Sequence, residues 1–220
     1  MSIDVVVVGA GGFGREALDV VEAHNRISPS ERVNVLGVAD DGPSEENLNR
    51  LERRGYVHLG GIESVLARAE RGRYVLGVGN PAVRRALAGR FDGAGWRALT
   101  VIHPAAVVSD TSTIGGGSIV CGGVQLSTNT MLGRHVHLNP NATIGHDSVL
   151  GDYVSVNPGA IVSGEVRIDE GALLGAGAVV LQGLVVGSES VVGASACVTR
   201  DVASGVTVAG VPARARTRAE

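Results

Sequence analysis

At 220 residues, with 33 glycines, 3% aromatics and a formal charge of −3, the chain suits two modest domains and makes a nucleic-acid platform a poor expectation. All 19 basic residues are arginine, which excludes lysine Schiff-base chemistry. The start lacks a signal peptide's basic region and no apolar run is long enough for a membrane helix, so no membrane insertion and a cytoplasmic location are expected.

In chain order, Ile3 to Val8 is an apolar, β-branched run that predicts a buried parallel strand. It empties into Gly9-Ala10-Gly11-Gly12-Phe13-Gly14, where Gly9, Gly11 and Gly14 have G-x-G-x-x-G spacing ahead of a helix carrying Ala17, Leu18, Val20 and Val21. Such a loop lets backbone amides approach a phosphate at a helix N-terminus. A strand over Val33 to Ala39 ends at Asp40, about where a ribose-binding acid falls in a dinucleotide fold. Helices are expected over Glu45 to Arg54 and Glu63 to Glu70. A strand over Tyr74 to Val78 then leads to Gly79-Asn80-Pro81, a helix over Ala82 to Phe91 and a last strand over Trp96 to Leu99.

About four strands make one mononucleotide-binding half rather than a full dinucleotide fold, so NAD redox chemistry is poorly supported. Residues 1–99 therefore read as a small α/β, Rossmann-like domain. Gly11, Gly12, Phe13, Gly14, Asp40, Gly79 and Asn80 are its candidate nucleotide contacts. The competing reading is that the glycines only pack helix on strand.

From Ile102 to Val198 every sixth residue is aliphatic, seventeen times without a break, and two residues before each stands a small or apolar one. Inward, outward, inward over three residues explains that spacing as a short strand, and a six-residue period signals a parallel β-helix over residues 100–209, with a tail over 210–220. Gly, Asn or Asp follows the aliphatic in ten of the seventeen hexads, which suggests left-handed corners at those positions. Cys121 and Cys197 then lie roughly four coils apart, near 20 Å at ~4.8 Å per coil, beyond disulfide reach and in keeping with a reducing compartment. Outward positions at Val101, Ile119, Val149, Ile161, Leu173, Val179, Val185 and Val191 are apolar, which implies a homo-oligomer.

The polar cluster of the repeat runs from His135 to Asp147. His146 stands two residues past a core aliphatic, on a corner and pointing outward, where an imidazole can serve as a general base. Adjacent Asp147 can fix its tautomer. Gly164, eighteen residues on and so one coil away, would offer an accessible N–H to an acyl oxyanion.

The uninterrupted hexads resemble those of the hexapeptide-repeat acyltransferases. Joined to the glycine loop, the N-x(6)-H-[DE] run from Asn139 to Asp147 and Gly164, they resemble the sugar acetyltransferases that modify nucleotide-linked 4-amino sugars, with sialic acid O-acetyltransferases as relatives. The resemblance implies a left-handed coil, a homotrimer, acetyl-CoA as co-substrate and no metal. It implies His146 as base, Asp147 as its support and Asn139 facing the sugar. It also implies Ser155, Ser163, Gly164, Ala176, Ala194 and Arg214 along the CoA path, where Gly210-Val211-Pro212-Ala213 resembles the family's tail. Arg216 and Arg218 could join Arg214 on CoA phosphates. Ser155 replaces a second family histidine, a role His137 could take over. N- and O-acetylation are not separable here. A zinc hydratase using His135, His137 and His146, or a non-catalytic scaffold, are the readings from other classes.

Overall fold

The computed structural model describes residues 2–68 and 71–216, and the chain divides into two compact units, Met1–Pro104 and Ala105–Glu220. The boundary lies a few residues past the one expected at residue 99.

In the first unit, β1 (Ile3–Val8), β2 (Val33–Ala39), β3 (Arg73–Leu76) and β4 (Arg97–Ala98) form a parallel sheet in the order β2-β1-β3-β4. Val5 to Val8 are at most 1% exposed, as expected of a strand covered on both faces. The helices are α1 (Gly12–Ile27), α2 (Glu45–Glu52), α3 (Ile62–Leu66) and α4 (Pro81–Gly93), with a 3-10 turn at Pro29–Glu31 that the sequence reading lacked. Helix α3 is shorter than expected, and Glu70 lies outside the described residues. Phe91 packs against Tyr74, tilted, and against Trp96, edge to face, at ring separations of 4.8 and 5.8 Å, and Asn25 binds both backbone groups of Val33 at 2.8 Å.

The second unit is a triangular parallel β-helix. Its first face carries Thr113–Ile114, Met131–Leu132, Val149–Leu150, Arg167–Ile168 and Val185–Val186. The second carries Ile119–Val120, His137–Leu138, Ser155–Val156, Leu173–Leu174, Val191–Val192 and Thr207–Ala209. The third carries Val107–Val108, Gln125–Leu126, Thr143–Ile144, Ile161–Val162, Val179–Val180 and Cys197–Val198. Register steps by one coil of eighteen residues, as in Thr143 to Ile161. The two inward columns meet as one core: Ala142, Ile144, Ala160, Val162, Ala178 and Val180 are all fully buried. The tail departs from expectation, since Arg214–Ala215 turns back as an antiparallel strand on Thr207–Ala209; Arg218 lies outside the described residues. Neither Cys121 nor Cys197 is in a disulfide.

The corners correct the sequence reading on one point. Left-handed residues stand three places after the aliphatic, at Asn129, His135, Asn141, Asp147, Tyr153 and Glu165, not one place after it. Glycine at the first place has another cause. A Cβ on Gly145 would lie 2.5 Å from the Ser163 carbonyl carbon, and one on Gly175 would lie 2.5 Å from the Ala194 nitrogen. Coils stacked this closely leave no room for a side chain at Gly145 or Gly175.

Candidate active site

His146 sits on the corner between the third and first faces, directly after Ile144-Gly145. Ile144 is fully buried and anchors the turn, while the His146 side chain is 50% exposed. Its Nδ1 lies 2.8 Å from Asp147 Oδ2. Asp147 is held in left-handed backbone (φ 59°), and its N–H donates to the Thr128 carbonyl at 3.0 Å. That conformation turns the carboxylate back toward the preceding ring. With Asp147 ionised, Nδ1 carries the proton and Nε2 keeps its lone pair, the tautomer a base requires. Donation from Asn129 and then from His146 holds the Asp147 carboxyl below the usual carboxylate range.

Gly164 stacks one coil on, and the ring occupies the space its side chain would need: a Cβ there would be 2.4 Å from His146 Nε2. The residue is buried beneath the imidazole, so its amide is less accessible than expected. The Gly164 carbonyl accepts from Gly183, and among the described residues its N–H has no partner. Ser163 lines the same corner, half-buried.

Other expected site residues lie elsewhere on the coil. Asn139 is on the corner between the second and third faces, 7% exposed, and its amide donates to the Val156 carbonyl at 3.1 Å and to Asn157 Oδ1 at 3.4 Å. Its N–H groups are therefore engaged in the coil. Ala176 and Ala194 are exposed on that same corner. His137 and Ser155 pair on the second face, as expected, but are at most 1% exposed, so neither side chain reaches solvent. His135 is buried and stacks on Tyr153 at 5.3 Å. The three imidazoles thus occupy two corners and a face, and among the described residues no cluster of three or more metal-binding side chains exists. Arg214 is exposed, with its guanidinium on the Ala213 carbonyl.

In the first unit the glycine loop divides into two kinds of position. Gly9, Gly14 and Gly77 are packing glycines, since a Cβ on Gly14 would lie 1.8 Å from the Gly9 carbonyl oxygen and one on Gly77 would lie 2.4 Å from the Gly14 Cα. Gly11, Gly12 and Gly79 face open space. Helix α1 has Gly11 at its N-cap, with no side-chain cap hydrogen bond, and the positive end of its dipole faces this loop. Asp40 is committed to the loop: Oδ2 accepts from Ala10 N–H at 2.8 Å and Oδ1 from Gly42 N–H at 2.9 Å. Asn80 caps α4 through Ala82 and Val83. Phe13 is half-buried at the start of α1.

Sequence reasoning missed three residues that shape these sites. Arg15 ties the Ala10 carbonyl to Asn47, and fully buried Arg84 holds the Val78 and Gly79 carbonyls at 3.0 and 3.1 Å. Asn129 contacts Asp147 from one coil away; the eighteen-residue step was the available signal.

Residues 4–91 match the family model described as the PglD N-terminal domain. A GDP-perosamine N-acetyltransferase of Escherichia coli O157:H7 is 32% identical over 141 residues, covering 64% of this chain and 61% of that protein's length. Among solved structures, a histidine-to-asparagine variant of perosamine N-acetyltransferase from Caulobacter crescentus, in complex with CoA and GDP-perosamine, has a TM-score of 0.85 at 27% identity over 97% of each chain. The acetyltransferase domain of PglB from Neisseria gonorrhoeae FA1090, with acetyl coenzyme A, has 0.83 at 29% identity, covering 98% of this chain and 100% of that one. WeeI from Acinetobacter baumannii AYE has 0.83 at 30% identity, with the same coverage.

Proposed function

This chain belongs to the hexapeptide-repeat, left-handed β-helix sugar acetyltransferases, and we propose that it transfers acetyl from acetyl-CoA to the amine of a nucleotide-linked 4-amino sugar in bacterial glycan assembly. The observation that carries the reading is the His146 ring, with Nδ1 on Asp147 and Nε2 at an exposed corner. Nε2 takes a proton from the attacking neutral amine as the nitrogen bonds to the thioester carbon. The carbonyl electrons move to oxygen, for which the Gly164 N–H is the candidate donor once the imidazole above it shifts. As the intermediate collapses the C–S bond breaks, and CoA leaves as thiol with the proton returned by the imidazolium.

The sugar's diphosphate is assigned to the uncapped start of α1, where Gly11, Gly12 and Gly79 leave room for it. The nucleotide is UDP or another nucleoside diphosphate; GDP is favoured by the relatives crystallised with or named for GDP-perosamine. CoA is assigned to Ser163 and Gly164 at one corner and to Ala176 and Ala194 at another, with Ser155 and Arg214 as further candidates. One CoA reaches both corners when a neighbouring copy supplies the second set. The exposed Met131, Val149 and Val185 on the first face and Val107 and Ile161 on the third flank the His146 corner and support a homotrimer. Ile119 and Val101, expected among them, are buried. A cytoplasmic site fits the substrates; among the described residues no helix is long and apolar enough to cross a membrane.

Thiol release from acetyl-CoA, measured against a panel of UDP- and GDP-linked sugars carrying either an amine or a hydroxyl at C4, tests this assignment. Turnover only with amino sugars, giving an acetamide, is the expected result. Turnover with the hydroxylated set alone would replace it with O-acetylation.

A further inference from the structure

We infer that Asn129 is a positioning residue for the catalytic pair: its amide holds the Asp147 carboxylate so that one oxygen faces the His146 ring. The inference rests on the reading of His146 as the base. Asn129 stands eighteen residues before Asp147, on the same corner one coil back, and its Nδ2 donates to Asp147 Oδ1 at 3.0 Å. The other carboxylate oxygen, Oδ2, meets His146 Nδ1. The two oxygens are thus divided between a donor fixed by the coil and the ring to be oriented.

Asn129 is itself fixed. Its backbone is left-handed (φ 58°), and its N–H donates to Thr111 Oγ1 at 2.9 Å. Thr111 in turn meets Thr128 Oγ1 at 2.9 Å and Ser109 Oγ at 3.0 Å. A short polar ladder therefore runs up this edge and ends on the imidazole. Without its last rung, a half-exposed carboxylate would rotate freely and exchange the ring for water. The amide is also the largest cause keeping the Asp147 carboxyl below its usual range, ahead of His146 itself. The other charged groups along this edge are Glu165, one coil on from Asp147, Asp110, two coils before His146, and Arg200 and Asp201 on the corner after Cys197–Val198. Among the described residues, His146 is the only ion-pair partner of Asp147.

The test measures kcat and KM between pH ~5 and ~9 for Asn129→Gly, Asn129→Asp, Asp147→Asn and the double variant Asn129→Gly/Asp147→Asn. Glycine deletes the amide and keeps the left-handed corner without strain. Asn129→Gly is expected to lower kcat about tenfold, with KM for both substrates and the melting temperature nearly unchanged. Asn129→Asp sets a second carboxylate beside the first, which favours the protonated ring, so the acidic limb of the profile moves to higher pH. In the Asp147→Asn background the glycine costs nothing further. A kcat for Asn129→Gly within about twofold of wild type, or an undiminished loss in that background, would overturn the inference. An active His146→Ala enzyme would instead remove the reading beneath it, so the two failures are distinct.

Discussion

The glycine loop after β1 and the corner at His146 both mix glycines with polar side chains, yet they use them in opposite ways. In the loop and the strand ends beside it most groups are consumed by the fold: Gly9, Gly14 and, after β3, Gly77 are pressed against backbone, Asp40 after β2 is bound to two amides and Asn80 caps α4. What remains is open space over Gly11, Gly12 and Gly79 and an uncapped helix start. At the corner the fold consumes only the framework, and among the described residues Nε2 of His146 and the Gly164 N–H have no hydrogen-bond partner. On the proposed reading the loop receives a ligand and the corner reacts with one.

Substituting glycines in the two regions separates these uses. The largest effect is expected from Gly164→Ala, whose methyl group would take the place of the ring. The displaced atoms are the far end of a flexible side chain, so stability changes little, while kcat falls about 100- to 1000-fold, read by thiol release alongside thermal melting. Asp147→Asn, which removes the charged acceptor from Nδ1, is expected to lower kcat about 10- to 100-fold with unchanged melting. Its pH dependence follows from the depressed carboxyl. A lowered value means the charge survives as pH falls through the ordinary range near 4 and is lost only below it. The rate profile between pH ~5 and ~8 should therefore show no ionisation belonging to Asp147.

In the loop, Gly14→Ala meets backbone rather than a side chain, so it should destabilise the first unit by about 1–3 kcal/mol, seen as an earlier melting transition. Gly11→Ala is the smallest change: its methyl group enters open space, so melting should hold while nucleotide binding by titration calorimetry weakens several-fold. Equal melting losses for Gly11→Ala and Gly14→Ala would erase the distinction.

The hexad period placed the coil strands and both inward columns from sequence, because a solenoid repeats one packing problem. The corners were less legible. Tyr153 and Glu165 take left-handed backbone that their side chains do not favour, since stacking overrides local preference, and glycine at the first corner place answers to the next coil's backbone. The exposed corner position of His146 and its contact with Asp147 were legible, because the phase of the repeat fixes both. The amide of Asn129 was missed, although the eighteen-residue step that brings it to Asp147 is written in the repeat. The burial of His137 was not legible, because strand alternation gives the direction of a side chain but not what covers it.

The most direct measurement is CoA thiol release by His146→Ala, with a nucleotide-linked amino sugar and acetyl-CoA both saturating. The account predicts a rate about 100- to 10,000-fold below wild type with the fold intact. A rate near that of the wild-type enzyme would contradict it.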